Sequence, residues 1–337
     1  GIGGGRNVGD EYFGAAEDVN FGDLDVLAFG PVLSELGESF DEYWNSEFTE
    51  QLNGWSSFKR DAADLEALRS ALLDVAAENR DSSYARRLDG ADFIKEAADD
   101  ELPLTWAVTH AHSDRPRKIV ASGDDLAELL LIERLRSDIP TVQEELLIVS
   151  PYFIPGKAGT RALVADAARG VEVRILTNSL ASTDVGAVHA GYRKYRRKLV
   201  EGGVQVYEVQ PSSDFTDALY DEGLFGSKNA SLHAKTFISD RRYLFVGSMN
   251  LDPRSVQLNT ELGFVIDSPE LAETLISGIE EVMAPEGSWR VTVDDEGLLW
   301  TGIEGDEPVS HRKEPRTTLW QRFKCGLVGW LPIEGQL

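Results

Sequence analysis

Residues 233–250 read HAKTFISDRRYLFVGSMN. His233 and Lys235 stand two apart in a predicted strand, so their side chains leave the same face of that strand. Ser248 and Asn250 stand at the end of the next predicted strand. This short segment therefore brings an imidazole, an ammonium, a hydroxyl and an amide into one cluster.

The same cluster contains carboxylates and suits chemistry at a phosphodiester. Asp240 lies five residues beyond Lys235, where the strand turns, and Glu261 follows in QLNTELG. An imidazole can act as nucleophile or acid, Lys and Asn side chains can bind non-bridging oxygens, and a carboxylate can orient the imidazole. Because side chains supply the positive charge, we expect no metal ion and no other cofactor.

The sequence around this segment alternates between predicted strands and predicted helices. The strands are predicted over 24–30, 104–110, 145–150, 171–177, 204–209, 233–239, 243–248 and 262–267. The helices are predicted over 33–48, 65–77, 122–138, 159–169, 184–200 and 269–283, and 211–229 is predicted to be a loop-rich excursion. Strands that alternate with helices in this way indicate an α/β fold with a parallel or mixed sheet.

Composition excludes several classes of protein. The chain has 337 residues, of which 42% are hydrophobic, so it can bury a substantial core in two modest domains or one bilobed domain. No apolar run is long enough to span a bilayer, and the single cysteine, Cys325, excludes an internal disulfide framework. The chain carries 58 acidic and 33 basic residues, a net charge of −25. This balance disfavours nucleic acid as a partner, and so a nuclease, because affinity for phosphate backbones comes mainly from clustered Lys and Arg.

The spacing within residues 233–250 resembles that of a known superfamily. HxKxxxxD followed, after six intervening residues, by GSxN is the signature of the phospholipase D superfamily, and the segment matches it at every fixed position. The resemblance implies a phospholipase D-like α/β fold of two pseudo-symmetric lobes, each with a mixed β-sheet flanked by helices, and an active site between them. It also implies a phosphohistidine intermediate. The implied catalytic residues are His233, Lys235, Asp240, Asn250 and Glu261.

A partial second copy of the motif is predicted near the start of the chain. Gly4, Gly5 and Asn7 in GGGRNVGDEYFG align with the GSxN positions, and Asp23 takes the place of Glu261. Asn7, Asp23 and Ser248 are therefore expected to bind the substrate phosphate. The first HxK pair should lie about 17 residues before Asn7, by the spacing in the complete copy. We expect it to be missing by truncation, so that this chain alone is half of an active site, which an associated upstream segment would complete.

These alignments predict three regions. They are residues 1–138, the remainder of an N-terminal lobe; 139–310, a C-terminal lobe with the complete motif; and 311–337, a basic and aromatic segment.

Longer stretches resemble the bacterial cardiolipin synthases, and the C-type branch in particular. They include GRNVGDEYFGA, DLDVLAFGP, SPYFIPG, SLHAKTFISDRRYLFVGSMNLDPRSVQLNTELG and the end WLPIEGQL. The resemblance implies transfer of a phosphatidyl group from phosphatidylethanolamine or phosphatidylglycerol to phosphatidylglycerol. It implies a peripheral protein of the bacterial inner membrane, with the side left open. Two alternatives remain: a hydrolytic phospholipase D that releases phosphatidic acid, and a catalytically incomplete module that binds lipid surfaces.

Two segments could contact lipid directly. Helix 184–200 carries basic residues beside an apolar stripe, which suits either a solvated face or a site for anionic headgroups, and His189 at the stripe's edge could line the rim of the pocket. Tyr152 follows a strand end, where sites in α/β sheets open, and is either a site residue or a core aromatic. Segment 311–337 interleaves cations with Trp, Phe and Leu. That pattern is typical of a segment lying on a membrane surface, and the alternative is an arm packed on the protein's own core.

Overall fold

The structure is a computed structural model of the chain and describes residues 1–13, 20–51, 61–82, 85, 104–211, 230–331 and 335. The chain forms two compact units, Gly1–Glu42 with Ala107–Leu337, and Tyr43–Trp106. The predicted division at residue 138 stays a prediction. The strands, in chain order, are β1 Ile2–Gly4, β2 Asn20–Gly22, β3 Asp25–Leu27, β4 Val108–Ser113, β5 Glu145–Val149, β6 Glu172–Asn178, β7 Gln205–Val209, β8 Ala230–Leu232, β9 Thr236–Ser239, β10 Tyr243–Gly247, β11 Leu262–Asp267, β12 Ser288–Asp294, β13 Gly297–Glu304 and β14 Glu307–His311. The helices are α1 Val32–Trp44, α2 Ala62–Glu78, α3 Asp124–Ala127, α4 Leu131–Leu135, α5 Gly156–Ala168, α6 Gly186–Glu201, α7 Pro253–Gln257, α8 Pro269–Met283 and α9 Leu319–Val328.

The larger unit is built around one mixed sheet of ten strands in the order β14-β13-β12-β7-β6-β5-β9-β10-β11-β4. Strands β5, β6 and β7 run parallel to one another, and every other neighbouring pair in this sheet is antiparallel. The predicted α/β class, with a mixed sheet flanked by helices, is confirmed.

Strict alternation of side chains gives this sheet two apolar faces. Leu147 and Val149 of β5 face a core completed by α1 and α8, whereas Ile148 faces the opposite core with α5 and α6. On β10, Leu244 joins the first core, and Phe245 packs with α4 on the other side. Helices therefore cover both faces of the sheet, and the central strands are apolar at consecutive positions because each side chain meets a core.

Two small strand pairs bring the start of the chain to this sheet. Strand β1 pairs antiparallel with β3, and β2 pairs in parallel with β8, which leads into the segment with His233. At Gly3 the strand lies so close to the large sheet that a Cβ would stand 2.5 Å from the ring of Phe264. These contacts place the N-terminal residues beside the motif predicted to carry the chemistry.

The structure corrects several predicted elements. Residues 122–138 form two short helices, α3 and α4, because the amide of Leu131 donates to the carboxylate of Asp114 (2.6 Å) at the break. The strand predicted at 104–110 lies at Val108–Ser113. The prediction for 211–229 falls almost wholly outside the described residues.

Helix α2 belongs to the smaller unit and begins with a capping box formed by Asp61 and Asp64. Leu65, Leu68 and Leu72 of this helix are exposed to solvent. Among the described residues, no helix is long and apolar enough to cross a bilayer.

Candidate active site

The backbone around His233 is a break between two strands, where a single strand was predicted over 233–239. Strand β8 ends at Leu232 and β9 begins at Thr236. The amides of His233 and Ala234 both donate to the carbonyl of Gly22, at 2.7 and 3.1 Å. This bonding to β2 replaces the regular ladder and turns the imidazole towards the N-terminal residues.

The imidazole of His233 meets a buried carboxylate from the other end of the sequence. Its Nδ1 lies 2.7 Å from Oδ2 of Asp23, whose Oδ1 accepts a hydrogen bond from the amide of Leu24 (2.9 Å). Both side chains of the pair are buried. A carboxylate at Nδ1 fixes the orientation of the ring and leaves Nε2 to exchange a proton with a substrate.

Lys235 places a buried amine against the same ring. Its Nζ lies 2.5 Å from Nδ1 and 2.8 Å from Nε2 of His233, and it also donates to the backbone carbonyl of that residue. Burial lowers the pKa of Lys235 to about 8, and the nearby carboxylates of Asp23 and Glu261 act in the opposite direction. The amine is therefore cationic below about pH 8 and can attract a phosphate.

A second buried carboxylate, Glu261, lies near enough to Lys235 to act on its pKa. Ser248 donates its hydroxyl to Oε2, and Asn259 donates to Oε1 (3.3 Å). Burial raises the pKa of Glu261. Asn250 is also buried, and its Oδ1 has no hydrogen-bond partner among the described residues.

The two carboxylates occupy matching places in two strand pairs. Gly4 of β1 stands opposite Asp25 of β3, and Gly247 of β10 stands opposite Gly263 of β11. Asp23 precedes Asp25 by two residues, and Glu261 precedes Gly263 by two residues. This register supports the alignment that the sequence predicts between the start of the chain and the GSxN segment.

Close approach at Gly5 holds the N-terminal strand against the site. A Cβ at this position would stand 2.4 Å from Oδ1 of Asp23 and 2.9 Å from Cδ of Lys235. Both distances are shorter than any ordinary contact, so glycine is required here for the carboxylate and the amine to keep their places.

Three aromatic rings surround His233. The ring centroids of Tyr12 and Phe21 each lie 5.0 Å from that of the imidazole, and Tyr152 lies 6.2 Å away. Tyr152 donates its hydroxyl to Asp184 (2.6 Å), and burial together with that carboxylate raises the pKa of the phenol. These rings reduce the access of water to the imidazole.

Asn7 reaches the rim of this group only indirectly. Its side-chain amide donates to the hydroxyl of Tyr12 (2.9 Å), and the residue is exposed. The structure therefore brings together His233, Lys235 and Asp23, with Tyr152 beside them and Asn7 at the edge.

Asp240 and His189 lie elsewhere. The carboxylate of Asp240 accepts hydrogen bonds from the amides of Gln143, Glu144 and Glu145, at the opposite end of β9 from Lys235. His189 is buried on α6, with Nε2 at 3.4 Å from a carboxylate oxygen of Glu314. No contact among the described residues joins either side chain to His233.

Comparisons with known proteins identify the family of this chain. The family model described as "Cardiolipin synthase, PLD-like domain" matches residues 135–283. Cardiolipin synthase C of Escherichia coli is 38% identical over 333 residues, which is 98% of this chain and 69% of that protein. The chain belongs to the phospholipase D-like cardiolipin synthase family. An uncharacterized protein of Helicobacter pylori is 31% identical over 95% of this chain and 62% of its own length.

A solved structure, the phosphatidylserine synthase of Haemophilus influenzae, is 14% identical and has a TM-score of 0.49. It covers 86% of this chain and 60% of its own length. The chain thus spans between three fifths and seven tenths of these relatives.

The family model covers most, but not all, of the residues described at this site. His233, Lys235, Asn250 and Glu261 fall within its match, whereas Asp23 lies outside it. Membership of the cardiolipin synthase family is shown by the near-complete alignment with the E. coli relative.

Sequence reasoning missed the rings of Tyr12 and Phe21 and the close approach at Gly5 to the two charged groups. The available signal was position alone: DEYFG follows the predicted GSxN-like segment, and Phe21 lies two residues before Asp23. The spacing of a motif does not show which neighbouring aromatic side chains turn inwards, because that depends on how β2 pairs with β8.

Proposed function

We propose that this chain carries the acid–base half of a phosphatidyltransferase that makes cardiolipin. The observation that carries the proposal is the buried contact between Asp23 and His233, with Lys235 against the ring. The proposal is supported by the 38% identity to cardiolipin synthase C of Escherichia coli.

In this proposal His233 moves the proton. Its Nε2 protonates the oxygen of the departing headgroup when the phosphatidyl group leaves the donor lipid. It then takes a proton from the hydroxyl of the acceptor lipid when that oxygen attacks phosphorus. Asp23 keeps the ring in the orientation that both steps need.

Lys235 and Asn250 bind the non-bridging oxygens of the phosphodiester. The amine of Lys235 is cationic below about pH 8. The side-chain amide of Asn250, whose Oδ1 has no hydrogen-bond partner in the described part of the chain, can donate to an oxygen through Nδ2. Such preorganised donors stabilise the charge that develops on phosphorus oxygens in the transition state. Ser248 acts through its hydrogen bond to Glu261.

We assign the nucleophile to the imidazole of a second HxKxxxxD motif. The 337 residues contain one match to this motif, the one that begins at His233. Glu261 occupies the position that matches Asp23 and would orient that imidazole in the same way. In the first step a nitrogen–phosphorus bond forms as the bond from phosphorus to the donor oxygen breaks. In the second, the acceptor oxygen bonds to phosphorus and the nitrogen–phosphorus bond breaks.

The proposed substrates are membrane phospholipids. Phosphatidylethanolamine or phosphatidylglycerol would donate the phosphatidyl group, and phosphatidylglycerol would accept it. The protein would work peripherally at a bacterial membrane. The aromatic rings around His233 favour transfer over hydrolysis, because they reduce the access of water to the intermediate.

Product analysis tests this function. The 337-residue chain and a form extended upstream through a second HxKxxxxD motif are each incubated with vesicles of phosphatidylethanolamine and phosphatidylglycerol, and lipids are identified by mass spectrometry. We expect cardiolipin from the extended form only. Phosphatidic acid as the main product would contradict transfer, and equal activity of the shorter chain would contradict the assignment of the nucleophile. Absence of any lipid product from both forms would contradict the enzyme and favour a lipid-binding module.

A further inference from the structure

Helix α9 is held on the body of the larger unit by one side only. Cys325 is buried and packs with Leu180 and Ala190 beside α6. Just before the helix, the buried carboxylate of Glu314 accepts a hydrogen bond from Nη2 of Arg196 (2.7 Å). The helix therefore has a fixed position and presents its other side outwards.

That outward side is strongly apolar. We define the outer face of α9 as the exposed large apolar residues of the helix and the turn after it. They are Leu319, Trp320, Phe323, Leu327, Trp330 and Leu331. Trp330 is 91% exposed, and the rings of Trp320 and Phe323 stack with centroids 5.6 Å apart. Single exposed apolar residues are common, but a continuous group of this kind marks an interaction surface.

Positive charge surrounds the outer face. Residues 311–331 contain five Lys and Arg residues and one acidic residue, the buried Glu314, and two of the five cations, Arg312 and Arg316, are paired with Asp294 and Glu304. Lys313, Arg322 and Lys324 form no ion pair within the part of the chain that the structure describes. A surface cavity of about 600 Å³ at the start of α9 is lined by 310–318 and Arg322.

We propose that the outer face of α9 and this basic cavity dock on the surface of an anionic phospholipid bilayer. The inference rests on the proposed function, because the substrates of that function lie in a membrane. A chain with a net charge of −25 is repelled by an anionic surface unless it turns a basic region towards it. Trp and Phe beside Lys and Arg suit the boundary between headgroups and acyl chains.

The charge also argues against a second copy of the chain as the occupant. A symmetric contact through the outer face of α9 would bring the unpaired cations of two copies together, and like charges at an interface oppose association. An anionic bilayer instead supplies the opposite charge to Lys313, Arg322 and Lys324 together.

Vesicle flotation of the 337-residue chain tests the proposal. Vesicles contain phosphatidylcholine alone or an equal mixture with phosphatidylglycerol. One variant combines Trp320→Ser, Phe323→Ser and Trp330→Ser. A second combines Lys313→Gln, Arg322→Gln and Lys324→Gln, and circular dichroism checks that both variants are folded. Wild type should bind the mixed vesicles in preference to those of phosphatidylcholine alone. Both variants should bind the mixed vesicles at least tenfold more weakly than wild type. The cation variant loses three charges that each contribute about fivefold near such a surface, and the aromatic variant loses the rings that enter the boundary between headgroups and acyl chains.

Two matched controls make the result specific. Leu68→Ser with Leu72→Ser removes equally exposed leucines from α2, where acidic residues predominate, and should leave binding unchanged. His233→Asn should also bind as wild type, so loss of the proposed catalysis is distinguishable from loss of docking. Undiminished binding by both α9 variants, an equal loss in the α2 control, or dimers in lipid-free solution that the α9 variants abolish would overturn the proposal.

Discussion

Asp23 and His233 are 210 residues apart in sequence and share one hydrogen bond at 2.7 Å. The motif spacing predicted His233, and the alignment of the two motif copies predicted Asp23. Neither indicated that these two side chains meet each other, because that contact depends on the parallel pairing of β2 with β8. Single residues of the site could therefore be predicted, but their partners required the fold.

Lys235 gives the site a pH dependence. Its pKa is lowered to about 8, chiefly by burial, so the amine loses its proton as the pH rises through that value. Binding of the substrate phosphate needs the cation, and we therefore expect the transfer rate to fall with a midpoint near pH 8. A rate profile of wild type checks this, with Lys235→Arg as the control because a guanidinium keeps its charge. The ordinary pKa of a Lys side chain is about 10. A wild-type rate that stays constant from pH 7 up to that value would contradict the prediction.

Gly5 tests how closely the site is packed. In Gly5→Ala the new Cβ would stand 2.4 Å from Asp23, so the carboxylate must move away from His233. We expect the transfer rate to fall at least tenfold, and the free energy of unfolding to fall by about 1–3 kcal/mol, as for other overpacked sites.

The matched control is Gly37→Ala in the middle of α1, where nothing lies within 4 Å of the new Cβ. This change should raise the free energy of unfolding by about 0.5–1 kcal/mol through helix propensity and leave the rate unchanged. Equal rates for Gly5→Ala and wild type would show that the close approach has no part in the chemistry.

At the scale of elements, the turn after β9 explains why Asp240 belongs to the motif. Its backbone has a φ of 51°, a left-handed conformation that Asp tolerates better than most residues. Its carboxylate accepts from three successive amides before and at the start of β5. The motif spacing predicted the residue as a fixed position, but spacing alone cannot separate a group that binds substrate from one that joins two strands.

Asp240→Ala should therefore affect stability rather than chemistry. The variant loses the acceptors for these amides and a residue suited to positive φ, and we expect the free energy of unfolding to fall by about 2–3 kcal/mol. Denaturant unfolding measures this change, and Asp240→Asn, which keeps one acceptor oxygen and the tolerance for positive φ, should lose less. The transfer rate per folded molecule should be that of wild type. A hundredfold loss of rate in a fully folded Asp240→Ala variant would instead place this carboxylate in the reaction.

Other elements show where sequence patterns are reliable. Strand β11 and helix α8 lie at the predicted residues, because apolar alternation and a Ser–Pro helix start are both local signals. The break between α3 and α4 depends on Asp114, whose carboxylate also accepts from the amide of Glu261 (2.8 Å). That side chain is distant in sequence from both partners, so periodicity within 122–138 gave no sign of it.

At the scale of the whole molecule, the distribution of charge explains how a strongly acidic protein could bind the proposed anionic lipids. The chain carries −25 overall, while the buried Lys235 and the cations at and just before α9 lie where anionic phosphates are proposed to bind. The sequence located these few cations along the chain, and the structure adds that Lys235 is buried and that Arg312 and Arg316 are held in ion pairs.

The central claim is that His233, oriented by Asp23, moves the proton in cardiolipin formation. The most direct measurement is the initial rate of cardiolipin formation by the complete gene product in phosphatidylglycerol-containing vesicles, compared with its His233→Asn and Asp23→Asn variants. We predict a loss of at least about a hundredfold for His233→Asn, the usual contribution of general acid–base catalysis, and a smaller loss for Asp23→Asn. Cardiolipin formation by folded His233→Asn at the wild-type rate would contradict the claim.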